Sequence, residues 1–366
     1  MSLVLAGMGW ATPLGSGVPA VWERMLNGER AAPEPVASSV SSRVYQAFRV
    51  PASACAHVPA HPRLRRSSAI SRFAAAAGVA ALEDAGIQLD PATAARTAII
   101  FAVSNGGVIY TKRFYHEVVE SGAQSASPLL FPETVFNAPA SHLAAILGIT
   151  GASYTLVGDG AVGILALKMA EDLMENPEID RCLVVGAEEA DWLLCDAYSR
   201  WRLLRNEPPI EVFAEKPRGT ILSEGAGAVV VERESTQGIA LEMIDAGCNF
   251  ARQSEAAQCI DQVFARLEPA NADVVIASAN GTFIDQAERS AIERHCPGAA
   301  VCALKRWLGE GVGAVGLWQV ICAAEALRTQ RIPESADDGG GNRQFRRAIV
   351  SACGLNQQVA GLSLAI

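Results

Sequence analysis

The segment SYTLVGDGAVG (153–163) has the makings of a reactive turn: an apolar strand runs into glycines and then into a long helical pattern. The apex of a strand-to-helix turn stands at a helix N-terminus, where backbone N–H groups and the helix dipole favour negative charge. Elbows of this kind present nucleophiles. Here the apex residues are Val157, Gly158 and Asp159. Valine has no nucleophilic atom, and Asp159 is expected to cap the following helix. Taken on its residues alone, the segment is a glycine turn with a cap and no chemistry.

The other reactive residue types are scattered. None of the nine cysteines forms a CxxC pair or a Cys/His cluster at metal-ligand spacing, and an odd count fits reduced thiols. His57 and His61 could share a metal on a loop, although a solvated pair is the simpler reading. No metal site and no cofactor are expected. The net charge of −9 argues against a nucleic-acid partner, since phosphate binding needs a basic face. The local exception is Arg63, Arg65, Arg66 and Arg72. These read as the solvated side of a helix running through FAAAAGVAALEDAGI, or as a docking patch for an acidic carrier protein.

The elements that must position these residues alternate between strand and helix patterns. VLAGMG, TAIIFAVS, RCLVVGAE, VVIASAN and AIVSACG read as strands, and SRFAAAAGVAALEDAG, AVGILALKMAEDLM and VGLWQVICAAEALRT as helices. Half the residues are hydrophobic and 19% are charged, so a large core can form and an α/β layered fold is expected. No apolar run reaches the length of a membrane span and the first residues lack a signal-peptide pattern, so a cytoplasmic protein is expected. The halves resemble each other. AIIFAVSNGG (98–107) matches VVIASANGT (274–282), and GAVGILALKMAE (160–171) matches GAVGLWQVICAAE (313–325). Each half is expected to close on a hairpin-like pair, 220–234 and 347–366, with a polar turn near Glu234 to Gly238 dividing the chain into 1–234 and 238–366. DDGGGN (337–342) reads as a further loop, and the first half carries an insertion, YTKRFYHEVVESGAQSASPLLFPETVFN.

With these motifs in order, the chain resembles the β-ketoacyl-acyl-carrier-protein synthases along nearly its whole length. GMGWATPLG, VWERMLNGERA, AAAAGVAALEDAGI, the elbow from Ser153 to Gly160, PRGTILSEGAGAVVVE, SANGTFIDQAE and ALKRWLGEGVGAVG each match a segment of that family. The resemblance implies the thiolase fold: duplicated βαβαβαββ halves in a five-layered α-β-α-β-α architecture. It also implies where chemistry should sit, and there the chain departs. The family's nucleophilic cysteine aligns with Val157, its first histidine with Asn280 in ANGT, and its second histidine with Glu310 in KRWLGE; only the lysine, Lys305, remains. The closing GFGGTN segment is degraded to GLNQQV (354–359), which puts that half of the oxyanion site in doubt.

Acyl transfer needs a thiolate, which Val157 cannot supply. Decarboxylation needs donors near a developing enolate oxygen. Asn280 can donate there, whereas an ionised Glu310 would repel both carboxylate and enolate. Lys305 is placed to pair with Glu310, and a protonated Glu310 would be a donor instead. The resemblance therefore implies an inactive subunit of the chain-length-factor kind. Such a subunit pairs as a heterodimer with an active ketosynthase, with an acyl carrier protein reached through that partner. Phe114, Tyr115, Phe131 and Phe136 of the insertion would then line a tunnel, against ordinary burial in the core as the simpler reading. The competing functions are an acyltransferase or hydrolase rewired around Glu310, Lys305, Asn280 or Asp159, and a homodimeric binding protein for acyl thioesters.

Overall fold

The computed structural model describes residues 3–233, 238–333 and 344–366. The polar turn after Glu234 and the DDGGGN loop lie outside those residues. The first half contributes β1 (Leu3–Thr12), β2 (Thr97–Val103), β3 (Ser153–Val157), β4 (Arg181–Glu188) and β5 (Gly225–Arg233). The second contributes β6 (Ile239–Asn249), β7 (Val274–Ile276), β8 (Ala300–Cys302), β9 (Arg347–Cys353) and β10 (Gln358–Ala365). They join one 11-stranded sheet in the order β3-β2-β4-β5-β1-β6-β10-β9-β7-β8, with the short strand Gly15–Ser16 paired to β1. Counted from its own first strand, each half runs third, second, fourth, fifth, first. The pairing directions repeat as well: β2 lies parallel to β3 and β4 as β7 does to β8 and β9, and the fourth and fifth strands of each half are antiparallel. The duplication read from short motifs is thus a duplication of topology. The halves meet where β1 and β6 pair, Leu3 opposite Leu241 and Leu5 opposite Ile239.

Two helices, Val162–Leu173 and Val315–Thr329, form the layer between the two halves of this sheet, in one apolar cluster with inward-facing Ala98, Ile100, Val184, Val229, Val350 and Leu362. The second is buried on all sides from Val315 to Leu327, as a helix between two sheets must be. The repeated GAVG motif explains how closely they pass. A Cβ on Gly163 would lie 3.2 Å from the Cα of Gly316, and one on Gly316 would lie 3.2 Å from the Cα of Gly163. The last glycine of each copy is therefore the crossing point. β2 alternates across the layers: Ala98, Ile100 and Ala102 face this centre, while Ile99, Phe101 and Val103 face the outer helix Ala69–Asp84. The helices Ala256–Arg266 and Ile284–His295 cover the other outer face through Phe264, Val263 and Ile292.

Two expectations are corrected. TILSEGAG does not form a hairpin with the strand that follows it. Leu222–Ser223 instead completes a small sheet with Pro33–Ala37 and Val44–Phe48, and β5 pairs with β1 and β4. The true counterpart of the β9–β10 hairpin is β4–β5, with residues 189–224 inserted between its strands. Of the four arginines, only Arg72 lies in the Ala69–Asp84 helix. The others lie in the turn Pro62–Arg65 and just after it.

Candidate functional site

β3 pairs with β2 alone and its other edge is open. Tyr154 is 43% exposed and Val157 is 53% exposed, both unusual for apolar residues of a sheet strand. The turn after Val157 is held by Gly158 N–H to the Val103 carbonyl at 3.1 Å and Val162 N–H to the Asp159 carbonyl at 2.9 Å. Asp159 does not cap the helix, contrary to expectation. The N-cap position is Ala161, which carries no side-chain cap. The Asp159 carboxylate turns to the second half of the chain, where its Oδ2 accepts from Gln357 N at 3.1 Å and Asn356 N at 3.3 Å. Its bond from Ala161 N is long, at 3.5 Å. Burial pushes this carboxyl above its ordinary range, while the backbone donors pull it down.

The structure brings Asn280, Lys305 and Glu310 together. Lys305 opens the short helix Lys305–Leu308 behind β8, and Glu310 follows on a backbone zipped to Ile221 and Ser223. Glu310 Oε2 accepts from Asn280 Nδ2 at 2.7 Å and lies 2.8 Å from Lys305 Nζ; its Oε1 accepts from Val312 N at 3.1 Å. Lys305 Nζ also donates to Ser278 Oγ at 3.1 Å, and that hydroxyl accepts from Cys353 N and donates to the Cys353 carbonyl. Asn280 Oδ1 accepts from Thr282 Oγ1 at 2.7 Å, and Asn280 N donates to Asp285 Oδ1 at 2.9 Å. All these residues are buried. Both oxygens of Glu310 meet donors, so the group serves as an acceptor and not as the protonated donor. The pair predicted from proximity in the sequence is real, and it is a closed one.

Buried acids that no motif signalled surround this network. Glu188, at the end of β4, accepts from Ser104 N at 3.0 Å and Asn105 N at 3.1 Å, and burial pushes its carboxyl up to about 7. Glu288 accepts from Ser278 N at 2.7 Å and is likewise pushed up to about 7 by burial. The Tyr198 hydroxyl is raised by burial and then by the nearby carboxylates of Glu310, Asp159 and Glu188. The only trace of Glu188 in the sequence is a pair of acids ending an apolar strand. Among the described residues, no group of three or more His, Cys, Asp and Glu could hold a metal ion.

The insertion corrects the simpler expectation for its aromatics. The helix Val108–Ser121 buries none of its residues. Tyr115, Phe131 and Phe136 are exposed, and Phe114 is half-buried against Phe131, with ring centroids 5.5 Å apart. They are not core. What fastens the insertion is Glu133, whose carboxylate meets His142 Nε2 at 2.6 Å and accepts from Ser68 N at 2.9 Å.

A doubled five-strand unit of order third-second-fourth-fifth-first, enclosing two closely packed glycine-led helices, defines the thiolase fold. Solved structures agree over the full length. The ishigamide ketosynthase/chain length factor superposes with a TM-score of 0.84 at 20% identity, covering 100% of this chain and 98% of that one. A ketosynthase in complex with its chain length factor from Xenorhabdus doucetiae gives 0.79 at 18% identity, covering 100% and 98%. The models of the β-ketoacyl synthase N-terminal and C-terminal domains match residues 2–237 and 236–337, and the chain belongs to the β-ketoacyl synthase family. Its relatives include a 3-oxoacyl-[acyl-carrier-protein] synthase 2 from Coxiella burnetii, 24% identical over 92% of this chain and 89% of that protein. Nodulation protein E from Rhizobium leguminosarum bv. trifolii is also 24% identical, over 92% and 88%. Among the described residues no helix is long and apolar enough to cross a membrane.

Proposed function

We propose that this chain is a non-catalytic ketosynthase-like subunit, a chain-length factor, that pairs with an active β-ketoacyl synthase in fatty-acid, polyketide or polyene-type biosynthesis. The observation that carries this reading is Val157, an aliphatic residue at the elbow apex of an open, uncharged edge strand. Without a thiolate there is no acyl-enzyme. A second sheet edge laid against β3 would cover Tyr154 and Val157 and bring the exposed aromatics of the insertion under the same contact. An interface with an apolar centre is the kind that permanent partners bury. Solved relatives that are ketosynthase/chain-length-factor pairs support the partner's class.

The rewired-enzyme reading is disfavoured by the network itself. Glu310, Lys305 and Asn280 are buried and spend their donors and acceptors on one another, which suits an ion pair of the interior better than an acid or base awaiting substrate. An acyl carrier protein is reached mainly through the partner. On this chain Arg63, Arg65, Arg66 and Arg72 form no ion pair among the described residues. Arg65 and Arg72 line an open groove of about 340 Å³ with Val58 and Leu64 in its wall, a surface of the right sign for an acidic carrier. The test is co-expression with the candidate ketosynthase, followed by light scattering. A complex of one copy of each is expected; a well-behaved monomer that ignores that ketosynthase at micromolar concentration overturns the reading.

A further inference from the structure

We infer that Cys248 and Cys259 form a redox-active dithiol, a site where a hydroperoxide closes a disulfide between β6 and the outer helix Ala256–Arg266. The backbone turns one cysteine toward the other. Ile244 of β6 belongs to the central apolar layer, and strict alternation would send Cys248, four residues on, the same way. The strand does not alternate there. Asp245 lies opposite Gly361 and Cys248 opposite Val359, so β6 carries one extra residue, and a bulge of this kind re-aims the side chain that follows it. Gly247 makes the bulge possible. Its φ is +77°, and a Cβ there would lie 1.6 Å from the Val359 carbonyl oxygen, so glycine alone fits. Cys248 therefore packs on the outer cluster, of which Cys259 is a member.

The contacts between the two cysteines are reciprocal. Cys248 Sγ donates to the Cys259 carbonyl at 3.6 Å, and Cys259 Sγ donates to the Asn249 carbonyl at 3.6 Å. The thiols also lie within hydrogen-bonding reach of each other. Burial, and then the Cys248 thiol beside it, push the Cys259 thiol up to about 12, so it stays protonated. Cys248 is the half-buried member and the one an oxidant meets first. The Arg266 guanidinium, 2.7 Å from Asp245 Oδ2, reaches its side chain as well. Partly exposed cysteines beside a cation are the ones that oxidants select. Of the remaining cysteines only Cys55 is not buried.

The chemistry balances on one molecule of peroxide. The Cys248 sulfur takes one oxygen, the O–O bond breaks, and water leaves behind a sulfenic acid. The Cys259 sulfur then bonds to the Cys248 sulfur, the S–O bond breaks, and the hydroxyl leaves as water with the Cys259 proton. Each sulfur gives up one electron, and the peroxide is reduced to water. The bond closes a short loop and pins the helix to the sheet it covers.

The experiment treats the full chain with hydrogen peroxide, then denatures it, alkylates it with iodoacetamide and digests it with trypsin, which cuts after Arg252, between the two cysteines. Peptides 234–252 and 253–266 are expected to run joined, and to part with dithiothreitol. The thermal midpoint of the oxidised chain should rise by about 4 °C, with no rise in Cys248→Ser. Cys259→Ser leaves the sulfenic acid without its resolving thiol, so dimedone should label Cys248 in that variant and not in the wild type. Separate peptides overturn the inference, whether Cys248 is then a free thiol or carries dimedone in the wild type. A joined pair that leaves the midpoint unmoved overturns the pinning of the helix. The wild-type peptides decide the matter even if a serine variant fails to fold. No partner enters the test, so its outcome is independent of the subunit reading.

Discussion

β3 and β8 occupy the same place in the two halves: each is the third strand of its unit, the outermost of the sheet, parallel to its one neighbour. Yet Ser153, Tyr154 and Val157 of β3 face solvent, while Ala300 and Cys302 of β8 are buried and Val301 packs against the outer core. Topology does not require an edge to be open. The first half leaves its edge strand exposed and also carries the insertion with its exposed aromatics. The second half buries Ala300 and Cys302 of its edge strand, and Lys305 and Glu310 of the buried network follow it in the chain. One end of the molecule exposes its edge strand and the other largely buries it.

The sharpest test of that contrast places the same charge on both edges. Tyr154→Asp should abolish pairing with the ketosynthase, at a cost of several kcal/mol at a desolvated contact, while leaving the urea midpoint of the isolated chain in place. Val301→Asp should do the reverse, lowering the midpoint sharply. If both variants fold and pair alike, the two edges are equivalent and the comparison fails.

The sealed network is next in size. Glu310→Ala strands Lys305 in the interior, and Lys305→Ala strands Glu310; each should cost about 3–5 kcal/mol by equilibrium unfolding. The double replacement Lys305→Met/Glu310→Leu should recover most of that loss, because a buried ion pair exceeds an apolar pair of similar volume by little. A double variant as unstable as either single one would mean that the pair does more than hold the interior together.

The crossing of the central helices should respond less. Gly316→Ala drives a methyl into Gly163 and should cost about 1–3 kcal/mol, measured by thermal unfolding. An equal melting temperature would show that the helices can part at no cost, and that the repeated GAVG motif is not the reason for their closeness.

The most gradual effect is on pH. Glu188 and Glu288 hold carboxyls raised to about 7 in the folded chain against 4.5 for the free group. The folded state thus binds their protons more tightly than the unfolded state does. The stability they contribute is fully present below pH 4.5 and is lost as pH rises through about 7, at no more than about 1.4 kcal/mol per pH unit for each group. Glu188→Gln should flatten the fall in denaturation midpoint between those limits. An unchanged slope would show that this carboxyl titrates like a free one.

Much of this architecture is legible in the chain as written, because it depends on neighbours in sequence. Alternating strands, long helices and glycine turns announced a doubled α/β unit, although not its strands β6 and β8, and the ordered motifs located Val157, Asn280, Lys305 and Glu310 by residue number. The absent nucleophile is a property of one residue's side chain and needs no coordinates. What tertiary structure alone decided are the contacts between residues far apart in the chain. Asp159 is well placed by local rules to cap its helix, yet two amides almost two hundred residues away offer it better bonds, and it leaves the cap empty. Glu188 and Tyr198 carry no local signal, since their acidity comes from the layers folded over them. The aromatics of the insertion look like core by composition. They lie exposed instead, on a helix and turn that bury almost nothing. Sequence periodicity reports which face of an element is apolar; only the packed chain shows whether anything has come to cover it.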